Sequence, residues 1–232
     1  VSPLKNPVND AQAVSTALKA LGFQVILREN ATQREMLDGL REFANRARKS
    51  QVRLLYYAGH GVQMRGRNYL MPVDAEILSE DEIPLKGADV TEVLERLATI
   101  SEGVNLIVLD ACRNNPFSAA PAQLADGRRI RTRGLGPQSM GLAPLQAPSG
   151  TLIAFSTAPG SIAVDNPTER NSTYTKHLLA NLAVPGLPIE RLFKQVRVAV
   201  AQETQQQQVP WETSSLMGDF CFRTDAMGKC SG

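Results

Sequence analysis

Two residues in this chain could do covalent chemistry together: a cysteine and a histidine, each closing an apolar run. Cys112 lies in Asp110-Ala111-Cys112-Arg113-Asn114, directly after Val104–Leu109. His60 lies in Ala58-Gly59-His60-Gly61, after a run that starts at Val52 and 52 positions before Cys112. A thiol attacks effectively only as thiolate, and a nearby imidazole can take its proton or stabilise its charge. The same imidazole can then hand the proton to a leaving amine. Taken singly, Cys112 reads as a buried thiol and His60 as a satisfied loop histidine. Their joint placement at the exits of two strand-like runs favours a catalytic pair.

The surrounding pattern says what must position them. Asn6 reads as a helix cap with Pro7 at the first helical position, and Ala11, Val14, Leu18 and Leu21 share one face until Gly22. Phe23–Leu27 is a strand candidate. Thr32 to Glu35 is a capping box opening a helix with Met36, Leu37, Leu40, Phe43, Ala44 and Ala47 inside. Asn68–Asp74 reads as a short edge element and Ser79–Glu82 as an acidic surface loop. A cap-like start at Asp89 leads a helix burying Val90, Val93, Leu94 and Leu97. Val104–Leu109 is almost continuously apolar, as a strand buried on both faces would be. Thr151–Phe155 is another strand, Thr173–Leu182 and Ile189–Val200 are helices, and Leu216–Phe222 suggests a last strand. Alternating strands and helices point to an α/β sheet covered on both faces. Sites in such sheets form at the carboxyl ends of strands, where neighbouring parallel strands would bring His60 and Cys112 together.

Bulk properties narrow the function classes. The 232 residues suffice for one domain with a substantial core, and 43% hydrophobic content suits a globular chain. A net charge of +2 gives no reason to expect a nucleic-acid or acidic-membrane partner. No apolar run approaches the roughly 20 residues that span a bilayer. Three cysteines are too few for a disulfide framework and form no zinc-like pair. Cys221 reads as a small core residue in a strand and Cys230 as a tail thiol. A bridge between them is possible but has no support from spacing alone. His177 reads as a surface residue of its helix. No metal ligand set and no cofactor are expected.

The segment Asp110–Asn114 resembles the caspase signature Gln-Ala-Cys-(Arg, Gln or Gly)-Gly, which has its histidine roughly 50 residues upstream. Here Asp stands for the Gln and Asn for the final Gly. Phe155-Ser156-Thr157-Ala158-Pro159-Gly160 is similar to the caspase segment that leads from a strand into the substrate groove. The chain therefore resembles the caspase/metacaspase clan, in its bacterial branch, from Asn6 to Phe222. The resemblance implies a three-layer sandwich with a mostly parallel central sheet. It implies Cys112 as nucleophile, His60 as base and then acid, and the N–H groups of Gly61 and Cys112 as an oxyanion hole. It also implies that Ser156 lines the substrate groove.

The same resemblance bears on specificity. The caspase arginine that binds a P1 aspartate falls, by position, at Asp165, and the caspase pocket glutamine falls at Asp110. Two carboxylates there should reject aspartate and attract Arg, or Lys, with bidentate geometry favouring Arg. Metacaspases, which cleave after Arg or Lys, also carry Asp two positions before the cysteine. Read only as local structure, Asp110 would cap a turn and Asp165 would be a solvated loop residue.

The expected organisation is one domain over residues 1–232. Residues 1–117 carry His60 and Cys112, 118–150 form a flexible linker, and 151–232 form a smaller second part. Arg129, Arg131 and Arg133 in the linker are candidate self-cleavage positions. Members of the clan carry a core strand just before the helix that opens at Asn6, and the chain as given is expected to lack it. Calcium dependence, frequent among metacaspases, has only the acidic cluster Ser79–Glu82 behind it. The leading function is a cysteine endopeptidase acting on peptides or proteins with a basic P1 residue. The alternatives are a caspase-like scaffold for protein binding, which retention of both His60 and Cys112 disfavours, and another amide hydrolase or thiol transferase using the same pair.

Overall fold

The computed structural model describes residues 4–100, 102–112, 142, 145–158 and 168–230. Six strands form one sheet: β1 (Val52–Met64), β2 (Arg67–Leu70), β3 (Ala88–Asp89), β4 (Val104–Cys112), β5 (Thr151–Phe155) and β6 (Trp211–Ser214), in the spatial order β3-β2-β1-β4-β5-β6. The central β1, β4 and β5 run parallel, while β2, β3 and β6 extend the sheet with antiparallel pairings. Over residues 52–56, β1 pairs with β4 on one side only, among the described residues.

Side-chain alternation sorts the strands into two cores. Leu106, Val108, Leu152 and Ala154 face one way, and α1 (Pro7–Ala20), α5 (Thr173–Leu182) and α6 (Ile189–Glu203) cover them with Tyr174, Leu178, Phe193 and Val196. Ile107, Leu109, Ala111, Ile153 and Phe155 face the other way, beneath α2 (Gln33–Ala47) and α4 (Val90–Ala98). The expected three-layer α/β sandwich is the observed one. The capping box of α2 is formed in full, and Asp89 accepts from the Thr91 N–H at the start of α4. At the amino-terminal ends of the strands the buried Arg53 guanidinium donates to the carbonyls of Ala47 and Glu102 and to Asn105 Oδ1.

Several local expectations are corrected. Phe23–Leu27 forms no strand, because among the described residues no strand pairs with it, and the Phe23 ring packs on Phe222 instead. Leu216–Phe222 is not the last strand either. Its Leu216, Phe220 and Phe222 pack on the α6-side core, while the antiparallel partner of β5 is the more polar Trp211–Ser214. Ser79–Glu82 leads into a 3-10 turn, Glu80–Glu82, and a short helix, α3 (Ile83–Lys86). Asn6 does not cap α1. It is buried, and its amide donates to the carbonyls of Glu169 and Arg170. His177 is half-buried and faces Glu203 at 2.7 Å. Leu142 and Leu145, counted in the linker, are buried in the α2-side core. Arg129, Arg131, Arg133 and Asp165 lie outside the described residues. Among the described residues no helix is long and apolar enough to cross a membrane.

Cys221 and Cys230 are joined in a disulfide, with Cα atoms 5.5 Å apart. A bridge closing so short a loop removes about 2–3 kcal/mol of chain entropy from the unfolded state. Cys230→Ser is therefore expected to melt a few degrees below wild type. Reductant should bring the wild type down to the variant and leave the variant unmoved, as thermal unfolding curves would show.

Candidate active site

The parallel register of β1 and β4 makes His60 and Cys112 Cα partners at the carboxyl ends of the two strands. The pairing arises because each apolar run continues to the same level of the sheet before its chemical residue. On β1, Gly61 fits closely against β4 and the core: a Cβ there would come within 3.0 Å of the Ala111 Cβ and 3.1 Å of Leu142 Cδ2. Gly59 adopts φ +153°, and a Cβ there would meet the Tyr57 hydroxyl at 2.7 Å.

Asp110 is 8% exposed, and its carboxylate turns toward the start of α5. Its Oδ2 accepts from the Ser172 hydroxyl at 2.5 Å and the Thr175 hydroxyl at 2.8 Å. Thr175 gives its one hydroxyl proton to Asp110, so Tyr56, 2.6 Å from Thr175 Oγ1, must donate to Thr175. Burial, with the Asp110 charge next, pushes the Tyr56 and Tyr174 hydroxyls well above the usual tyrosine range.

A second buried carboxylate stands beside Asp110. Asp10, on α1, is 1% exposed, and its Oδ1 accepts from the Asn171 amide at 2.8 Å and the Ser172 N–H at 3.0 Å. Ser172 thus touches both aspartates, with its N–H on Asp10 and its hydroxyl on Asp110. Burial foremost, and also the charge of Asp110, raises Asp10 to about 6 against the opposing hydrogen bonds. Asp10, Ser172 and Thr175 were absent from the sequence-based site. Asp10 stands four residues before Val14 and eight before Leu18, on the buried stripe of α1, and that position marks an inward carboxylate.

Ser156 follows the end of β5 and is 1% exposed. Its N–H donates to the Leu109 carbonyl, its own carbonyl accepts from Gln208, and its buried Oγ has no hydrogen-bond partner among the described residues. Gln208, read from sequence as part of a polar loop tract, is therefore a buried support for this strand end.

A raised carboxyl pKa has a definite consequence for stability. The folded state holds the Asp10 proton up to about pH 6, whereas the unfolded chain loses it near 3.8. The penalty for the buried charge is absent below pH 3.8, grows between 3.8 and about 6, and is fully present above. Asp10→Asn should raise the melting temperature at pH 8 and leave it nearly unchanged near pH 4. Equal shifts at both pH values would contradict the charge penalty.

A family model for the caspase domain matches residues 1–221. The mucosa-associated lymphoid tissue lymphoma translocation protein 1 of Homo sapiens and its Mus musculus homolog are each 33% identical over 110 residues, 47% of this chain. The match takes in 13% of the length of those relatives. Among solved structures, caspase-1 from Spodoptera frugiperda superposes with a TM-score of 0.62 at 21% identity, covering 94% of this chain and 81% of that one.

Proposed function

Since the chain belongs to the caspase domain family, whose members are cysteine peptidases, we propose that it is an endopeptidase using Cys112 and His60 and cleaving after Arg or Lys. The observation that carries this reading is one strand end. There His60 and Cys112 are Cα partners, and two positions before Cys112 a buried carboxylate is coupled to a second.

His60 takes the proton of the Cys112 thiol, and the thiolate sulfur attacks the scissile carbonyl carbon. The carbonyl electron pair moves onto oxygen, which the N–H groups of Gly61 and Cys112 stabilise. As the C–N bond breaks, the amine leaves with the proton from His60. Water, deprotonated by His60, then attacks the thioester and releases the acid and the free thiol.

Asp10 and Asp110 form the floor of the P1 pocket. Two carboxylates this close repel each other, and an entering guanidinium relieves that repulsion while gaining charge-assisted hydrogen bonds. Aspartate at P1 would add a further negative charge to the pocket. By its position in the caspase resemblance, Asp165 is assigned to the same pocket.

The test is a panel of fluorogenic peptides differing only at P1, assayed with and without calcium. Cleavage should rank Arg above Lys, both far above uncharged residues, with none after Asp. A preference for P1 Asp would overturn the reading.

A further inference from the structure

The carbonyl of His60 is held twice. It accepts from the Met71 N–H at 3.0 Å and from the Tyr57 hydroxyl at 2.8 Å. The same hydroxyl lies 3.0 Å from the Met71 carbonyl. Tyr57 and Gly59 project to the same face of β1, so the ring can reach along the strand only because residue 59 has no side chain in its path.

The carbonyl of His60 and the N–H of Gly61 belong to one peptide group. A trans peptide is planar, so its C=O and N–H point in opposite directions. The Met71 N–H holds the carbonyl from the side where β2 pairs with β1. The N–H of Gly61 is thereby directed the other way, toward β4, where Cys112 is the Cα partner of His60. A donor on the carbonyl also polarises the peptide and strengthens its N–H as a donor.

We infer that Tyr57 is a positioning residue for the oxyanion hole, acting through the His60–Gly61 peptide, with Gly59 clearing the path of its hydroxyl. This rests on the reading of Cys112 as nucleophile and of the Gly61 N–H as an oxyanion donor. Tyr57 acts through that peptide. It holds the carbonyl end of the peptide whose other end meets the developing charge, so its effect falls on the transition state and not on substrate binding.

Tyr57→Phe removes one oxygen and leaves the ring in the α2-side core. It should lower kcat on an Arg peptide by about tenfold, the order of one hydrogen bond aimed at a charge that forms in the transition state, and leave KM unchanged. Of the three cysteines in the sequence, Cys221 and Cys230 are bridged, so iodoacetamide reports on Cys112. Alkylation needs the thiolate but no oxyanion hole, so its rate against pH should match wild type. The amide nitrogen resonance of Gly61 should shift, while those of residues 53–56 stay in place.

An unchanged kcat would overturn the inference, as would a lowered kcat with an unmoved Gly61 resonance. If kcat, the alkylation profile and the melting temperature all fall together, Tyr57 supports the fold and the inference is again wrong. If Cys112→Ala hydrolyses as fast as wild type, the catalytic reading has failed instead, and the Gly61 resonance still decides whether Tyr57 orients that peptide.

Discussion

Cys112→Ala is expected to remove peptide hydrolysis down to background, a loss of at least about four orders of magnitude in kcat, because no other group can form the acyl bond. On the proposed reading binding should survive the change, since Asp10 and Asp110 remain. An Arg peptide should therefore compete for the variant with near wild-type affinity. The melting temperature should move little, because the substitution removes one sulfur at a strand end. Near wild-type turnover in a folded Cys112→Ala protein would exclude the thiol mechanism. Binding without hydrolysis in both proteins would favour the scaffold alternative.

Asp110→Asn is expected to have the second largest effect. Alanine would be the cruder change, since it would strip the Ser172 and Thr175 hydroxyls of their shared acceptor. Asparagine keeps an acceptor oxygen and removes the charge. Loss of one buried charged contact costs about 2–4 kcal/mol of transition-state binding. That is roughly 30- to 1,000-fold in kcat/KM for P1 Arg, with little change for an uncharged P1. The variant carries an internal control, because the Asp110 charge helps to hold Asp10 high. Removing it should lower the Asp10 midpoint, seen as a downward shift of the acid limb in the pH profile for Arg substrates. Equal losses on charged and uncharged substrates would assign Asp110 to the fold alone.

Much of this architecture is legible in the residues, and what is not has physical causes. The interiors of α2, α4 and α6 show helical spacing, and Val104–Leu109 is apolar because it is covered on both faces. Cys112 and His60 are legible as a pair because strand ends are where α/β sheets expose chemistry. The strands at Phe23–Leu27 and Leu216–Phe222 were misread for one reason. A short apolar run is compatible with a strand, but only a partner distant in sequence makes it one. β6 shows the reverse case: Trp211–Ser214 is mostly polar and pairs all the same, because it lies at the edge of the sheet. Asp10 was overlooked because an acid in the first turn of a helix already has an ordinary explanation in the helix dipole. Its bond to Ser172, 162 positions away, cannot be read from either residue alone.

The buried Arg53 acquires a second meaning beside that acidic pair. It sits near the amino-terminal ends of the parallel strands, roughly 20 Å along β1 from the level of His60 and Cys112. Asp10 and Asp110 sit near the carboxyl ends. The sheet thus carries fixed positive charge at one end and fixed negative charge at the other, both shielded from solvent ions. The sum over the molecule, +2, hides this axis. An approaching basic side chain responds to the local potential and not to the sum, so it would be drawn to the carboxyl edge and turned toward it before any contact forms. If the substrate is a basic peptide, as proposed, its capture would have a long-range component that added salt would slow.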